Sequence, residues 1–460
     1  MVLPAILNPF VEGAPACVMT RIALDWIIES TPFDQLFDEV AEDQYTRAFT
    51  LAHFVQVMLD VASGHRPSPR AAFLRRRLDA VASISAFYRK LNRMEVAIPV
   101  AVVRRTAQRA RELIVAAGGL LPEPIPGYAA RILDGNVLTG TEHRITPLRT
   151  TNSAGLPGMS LAIYEPASGL IRDVVLAEDA HCQERALLDA VVVEPGQLWI
   201  ADRNFCVRTF LFRIERSRAF FLIRWHSTTC PFEPVGPLRA LGRCATGEVL
   251  EQEIVVDDPD GDGRSHRLRR IVLKLDQPTR DGETEIVLVT NLPAEVSAIL
   301  CCVVYRGRWQ SEGPFQTLTD LLHCEVTSLG YPRAALFAFW MSVVAGNALA
   351  VLKGNLRVVH GDEMVEALSN FALVDEVAEI YPGMMMAVPP PEWSFVRRDS
   401  VEAVAGMLTE LAELVPVERM LRDRRGPKRP RPRRSSGKRV HHVSNKKLLD
   451  QAKGFRPREH

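Results

Sequence analysis

The sequence predicts an α/β protein assembled in segments, and three observations carry that expectation. Residues 1–125 keep apolar side chains at three-and-four spacing, as helices do. From Ala129 the pattern changes to short strand-like runs parted by turns. A proline-broken, strongly basic stretch then follows Pro427.

The helical segments are Phe33–Ala62, Arg70–Asn92 and Val100–Ala116, with Arg and Lys set between the apolar positions. LPEPIPGY, from Leu121 to Tyr128, has three prolines and reads as a linker. RILDGNVL, GMSLAIYE and LIRDVVLAE are the next strands. They are followed by a helical stretch at Cys182–Val192, the strand QLWIAD ending at Asp202, a helix from Phe205 to about Ser217, and the strand AFFLIRW. Three successive strands, then helix, strand, helix, strand, is the order of a ribonuclease H-like core. Residues 227–300 alternate Val, Ile and Thr with charge around turn signals such as DDPDGDG and RDGE, which predicts a β-rich insertion. Helices resume at Ser297. The resulting division is a helical part at 1–125, core at 126–226, insertion at 227–300, core again at 301–395, and a C-terminal helix with basic tail at 396–460.

With 460 residues the chain has room for several cores, and its 47% apolar and 24% charged residues are ordinary for a globular protein. The net charge of +1 hides an asymmetry. Arg419 to Arg458 holds 16 Lys/Arg and 2 Asp/Glu, which leaves 40 Lys/Arg against 53 Asp/Glu elsewhere. An acidic body with a basic tail points to a polyanionic partner. The eight cysteines form no C-x-x-C pair, so reduced thiols are expected, with neither a zinc site nor a disulfide framework. No secretory leader is visible in MVLPAILNPFVEG. Ala334–Leu352 is uncharged and long enough to cross a bilayer, yet it includes Ser342, Gly346 and Asn347, and a buried core helix is the expectation.

Three stretches carry chemistry together. ILDGNVLTGTEHRI puts Asp134 in a strand, LWIADRNFC puts Asp202 at a strand's carboxyl end, and YRGRWQSE holds Tyr305, Arg308 and Glu312. Separations of three and four residues set Tyr305, Arg308 and Glu312 on one helix face, with Gly313-Pro314 marking a kink beside Glu312. Phosphodiester cleavage needs charge stabilisation on the attacking and leaving oxygens, which two Mg²⁺ ions supply, and such hard cations take Asp and Glu oxygens. Each stretch alone has a plainer reading: a D-G turn, a strand-ending cap, a surface helix. All three in order, with the strand pattern around them, favour the catalytic one.

These stretches resemble the three blocks of the bacterial insertion-sequence transposases of the fourth family, whose third block runs Tyr, two residues, Arg, three residues, Glu, six residues, Lys. Tyr305, Arg308 and Glu312 match that spacing, whereas Thr319 stands where the family has Lys. The resemblance implies a DDE transposase that binds terminal inverted repeats and cleaves and joins double-stranded DNA, at element ends and target, as a homodimer in a synaptic complex. It implies Asp134, Asp202 and Glu312 as ligands of two Mg²⁺, with Mn²⁺ able to substitute, and Tyr305 and Arg308 as backbone contacts. Glu142 and His143 are candidate supporting residues, or else a structural pair. Arg424, Arg425, Lys428, Arg429, Arg431, Arg433 and Arg434 are expected to lie along phosphates. A cytoplasmic, nucleoid-associated bacterial protein without a membrane partner is expected. The alternatives are a stand-alone nuclease on the same fold and an inactive DNA-binding derivative. Trp225 and Trp309 are expected to pack in cores rather than stack on bases.

Overall fold

The computed structural model describes residues 3–29, 32–44, 46, 48–260, 263–279, 282–308, 325–422 and 442–454. Its centre is a nine-stranded mixed sheet. The strands in chain order are β1 (Ala129–Val137), β2 (Gly155–Leu156), β3 (Met159–Glu165), β4 (Leu170–Ala177), β5 (Gln197–Ala201), β6 (Phe220–Arg224), β7 (Glu233–Cys244), β8 (Gly247–Asp257), β9 (Ser265–Leu275), β10 (Glu285–Thr290) and β11 (Val443–Ser444). The large sheet runs β4-β3-β1-β5-β6-β10-β9-β8-β7, while β2 pairs with β11. β3 lies antiparallel to β1, β5 parallel to β1, and β6 parallel to β5. β10 joins β6 antiparallel, so the strands of residues 233–290 extend the same sheet.

The apolar runs of β5 and β6 are buried on both faces, which is why they read as continuous rather than alternating. β8 and β9 alternate with charge because cross-strand ion pairs such as Arg267–Glu253 and Arg269–Glu251 line their solvated positions.

The helices of the first 117 residues share one hydrophobic core with the later helices. At its middle lies Pro332–His360, 29 residues long, whose most apolar stretch is 78% buried. It packs on Leu51–Ala62, Ala97–Ala117, Pro15–Glu29 and Val401–Ala412. The charge-free run Ala334–Leu352 is therefore a core helix, all-round apolar because other helices surround it.

Local departures from the sequence expectation have local causes. Phe33–Ala62 is two helices, Phe33–Val40 and Leu51–Ala62, the second started by a capping box of Thr50 with His53. Arg70–Asn92 is likewise divided into two α-helices, begun by serine caps at Ser68 and Ser83, with a 3-10 turn at Leu78–Ala80 between them. Cys182–Val192 contains a 3-10 helix, Glu184–Ala190, in place of an α-helix; Glu184 accepts from Asn204 and Arg185 donates to the Asn204 carbonyl, tying its start to the loop after β5. The helix expected from Phe205 begins at Arg208, after a 3-10 turn Arg203–Phe205. Pro15–Glu29 is a helix, and Glu233–Cys244 a strand, that the sequence pattern did not single out.

Candidate active site

Strand alternation brings the two aspartates together. Ile132 on β1 and Ile200 on β5 belong to the apolar cluster beneath the helix Ala298–Gly307, whereas Leu133 and Ala201 face the cluster around the helix Arg208–Arg216. Two residues beyond each isoleucine stand Asp134 and Asp202, so both fall on the Ala298–Gly307 side. The parallel register pairs Leu133 with Ala201, which makes Asp134 and Asp202 the next positions on neighbouring strands. Asp134 also pairs in register with Ala162, which packs into the helical body. The pair of carboxylates thus sits at the seam between helical body and sheet.

The helix Ala298–Gly307 opens on a Ser297 cap, whose side chain accepts from the Ile299 N–H, and buries Cys301, Cys302 and Tyr305. Tyr305 and Arg308 are 3% and 7% exposed. Burial pushes the Tyr305 hydroxyl well above its usual range. The Arg308 guanidinium lies 5.9 Å from the Tyr305 ring centroid and 3.9 Å from Asp134 Oδ1. The spacing of Tyr305 and Arg308 therefore does set them side by side, turned toward Asp134.

Asp202, Tyr305 and Arg308 line one cavity of about 650 Å³, with Arg203, Arg224 and Glu283. Glu283, from the segment joining β9 to β10, accepts from Arg224 at 2.5 Å and from Arg203 at 3.2 Å. The hydrogen bond from Arg224 holds the Glu283 carboxyl below the usual carboxylate range. Sequence reasoning missed this cluster. Its signal was present: Arg224 ends the strand beside β5, at the same edge as Asp202.

The other candidates lie elsewhere. Glu142 bonds Thr327 Oγ1 at 3.2 Å and Arg144 Nε at 2.5 Å, and lines a separate cavity of about 1000 Å³ with Arg66, Arg70 and Arg144. His143 is exposed beside it. Trp225 is half-buried, packs on Phe232 with ring centroids 5.3 Å apart, and donates to the Cys230 carbonyl at 2.8 Å. Glu312, Trp309 and Thr319 lie outside the described residues, as do Arg424, Arg425, Lys428, Arg429, Arg431, Arg433 and Arg434. Among the described residues no three His, Cys, Asp or Glu side chains gather as a metal site.

Residues 126–347 match the transposase DDE domain. That span runs from the start of β1 into the long core helix and takes in Asp134, Asp202, Tyr305 and Arg308. The match supports a DDE transposase, an enzyme whose partner is DNA. None of the curated proteins matches the chain.

Proposed function

We propose that this chain is a DDE transposase of the fourth insertion-sequence family, which binds the terminal inverted repeats of its own element and cleaves and joins DNA with Asp134, Asp202 and Glu312. The observation that carries this reading is the meeting of Asp134 and Asp202 at adjacent positions on one sheet face, with Arg308 against Asp134. The strand order β4-β3-β1-β5-β6, parallel only at β1–β5 and β5–β6, supports a ribonuclease H-like core carrying the later strands as its insertion.

Two carboxylates at neighbouring strand positions form an all-oxygen donor pair that suits Mg²⁺ or Mn²⁺. Bound ions of this kind supply charge stabilisation to the attacking and leaving oxygens of a phosphodiester. Asp134 and Asp202 would hold such an ion, with Glu312 as the third carboxylate ligand. Arg308, kept in place by burial and by Tyr305, sets positive charge beside the carboxylates and steadies the DNA backbone. Water attacks the phosphodiester at the element end, adds to phosphorus and releases a 3′-OH. That 3′-OH attacks a target phosphodiester, displacing a second 3′-OH as the new bond forms. A homodimer would bring two ends together, in the bacterial cytoplasm at the nucleoid.

The test is strand cleavage of end DNA by the purified chain with Mg²⁺, beside Glu312→Gln. Gln keeps the shape and loses the charge, so cleavage should vanish while end binding stays within a few-fold. Cleavage by Glu312→Gln at near wild-type rate removes Glu312 from the site; no Mg²⁺-dependent cleavage by the wild type removes the reading. For the tail, truncation after Leu421 should flatten the salt dependence of binding by about 0.9 in log K per log salt for each lost phosphate contact. Equal slopes for the two chains would exclude it as a DNA arm.

A further inference from the structure

A second cavity, of about 150 Å³, lies where the turn joining β3 to β4 meets the core helix Pro332–His360. Lys353 and Arg357 line it from the core helix, Tyr164 and Ser168 from the hairpin, and Asn370 from the start of the helix Asn370–Ala387. No Asp or Glu among the described residues lines it. Lys353 is half-buried, so its ammonium is partly withdrawn from water, a cost that an ion pair would normally offset.

The nearby carboxylates are engaged elsewhere. Glu165 is held by Arg111 and Arg131, each at 3.1 Å, and by the Ser168 hydroxyl at 2.5 Å. Asp362 lies 3.3 Å from Arg357 and is mostly exposed. Lys353 makes no hydrogen bond or ion pair among the described residues, and Arg422 and Arg357 only add positive charge. Burial, reinforced by those two arginines, pushes the ammonium down to about 8. The Tyr164 hydroxyl, buried enough to be raised to about 12, also has no hydrogen-bond partner among the described residues. The start of an 18-residue helix adds its positive end.

We propose that this cavity is a binding site for a small oxyanion of phosphate size, held by Lys353, Arg357 and the Tyr164 hydroxyl. Its chemistry suits that ligand: two cations and a neutral donor stand around a space of about 150 Å³, with the start of a helix beside them. The site stands at the hairpin end of the sheet, away from Asp134 and Asp202, so it is independent of the proposed catalysis. Either free phosphate or a phosphate of the DNA backbone could supply the ligand.

The test is calorimetric titration of the full chain with inorganic phosphate at constant ionic strength in chloride, for wild type, Lys353→Met and Tyr164→Phe. Wild type should show one saturable site, Lys353→Met at least about tenfold weaker binding, and Tyr164→Phe a loss of a few-fold. Should Lys353→Met fail to fold, Tyr164→Phe, which keeps the ring, decides the matter alone. The titration is repeated with the chain saturated by duplex DNA. Unchanged phosphate binding identifies free phosphate as the ligand, and its loss identifies a backbone phosphate. Absence of saturable binding by the wild type, or equal binding by wild type and Tyr164→Phe, overturns the proposal.

Discussion

Toward the carboxyl ends of β1 and β5, cations stand among carboxylates: Arg308 beside Asp134, and Arg203 and Arg224 on Glu283. Around the turn between β3 and β4, Lys353 and Arg357 face a cavity with no carboxylate among the described residues of its wall. Both places hold charge at the edge of the same sheet, but among the described residues the first pairs its cations within the chain, whereas at the second Asp362 pairs Arg357 and Lys353 has no partner. The first can therefore keep its geometry before a ligand arrives, while the second carries a penalty that a bound anion would relieve.

The largest expected effect separates the two ends outright. Asp134→Asn and Asp202→Asn should each lower DNA cleavage by at least about a thousandfold, roughly 4 kcal/mol of barrier. The double variant should lose little more, because the carboxylates act as one unit. Binding of phosphate at the Lys353 cavity should be unchanged in both. Additive losses in the double variant would mean that the two aspartates act separately.

Next comes the pH dependence of stability at the hairpin end. The folded-state pKa of Lys353 lies below the unfolded value, so between about pH 8 and 10.5 the unfolded chain binds more protons and stability rises with pH. Below about pH 8, in chloride, Lys353→Met should be the more stable protein. The gap should close at up to about 1.4 kcal/mol per pH unit as pH rises through that window. Chemical denaturation at several pH values measures it, and parallel curves for the two proteins would show that Lys353 keeps an ordinary pKa.

A smaller loss is expected at Gly119. A Cβ there would stand 2.5 Å from the Gly354 carbonyl oxygen, on the backbone of the core helix beside Lys353. Gly119→Ala should cost about 1–3 kcal/mol, read as a lower denaturant midpoint, and should weaken phosphate binding without touching cleavage. Unchanged stability would mean that the core helix shifts freely. The smallest effect belongs to Glu283→Gln. Freed of a carboxylate, Arg203 and Arg224 should tighten binding to any duplex a few-fold and steepen its salt slope by about one to two contacts. An unaltered slope would leave both arginines out of DNA binding.

Much of the mixed α/β architecture was legible because strands and helices impose different periods. β1, β3, β4, β5 and β6 all lie where apolar runs ended in turns. β7 escaped notice because its residues are almost all exposed and Pro237 and the glycines around it interrupt any alternation. The placement of Asp134 and Asp202 at strand ends, and of Tyr305 and Arg308 side by side, was legible through spacing, since those separations are local to one strand end or one helix face. Arg224, Glu283 and Lys353 were not. Each gains its meaning from a partner, or the lack of one, across scores of residues, and a linear pattern holds no record of distance in space.

The helix Ala298–Gly307 has a further consequence. It rests on β7, β8 and β9 as well as on β6, with Val249, Ile271 and Leu273 in the cluster that holds Cys301 and Tyr305. Much of the floor under this lever thus lies with it between Glu233 and Arg308, while Ile132, Ile200 and Leu222 complete it from strands outside that block. A chimera that exchanged the strands alone with a related protein would seat Tyr305 and Arg308 on a foreign floor; one that exchanged the whole block would carry much of its own fit along.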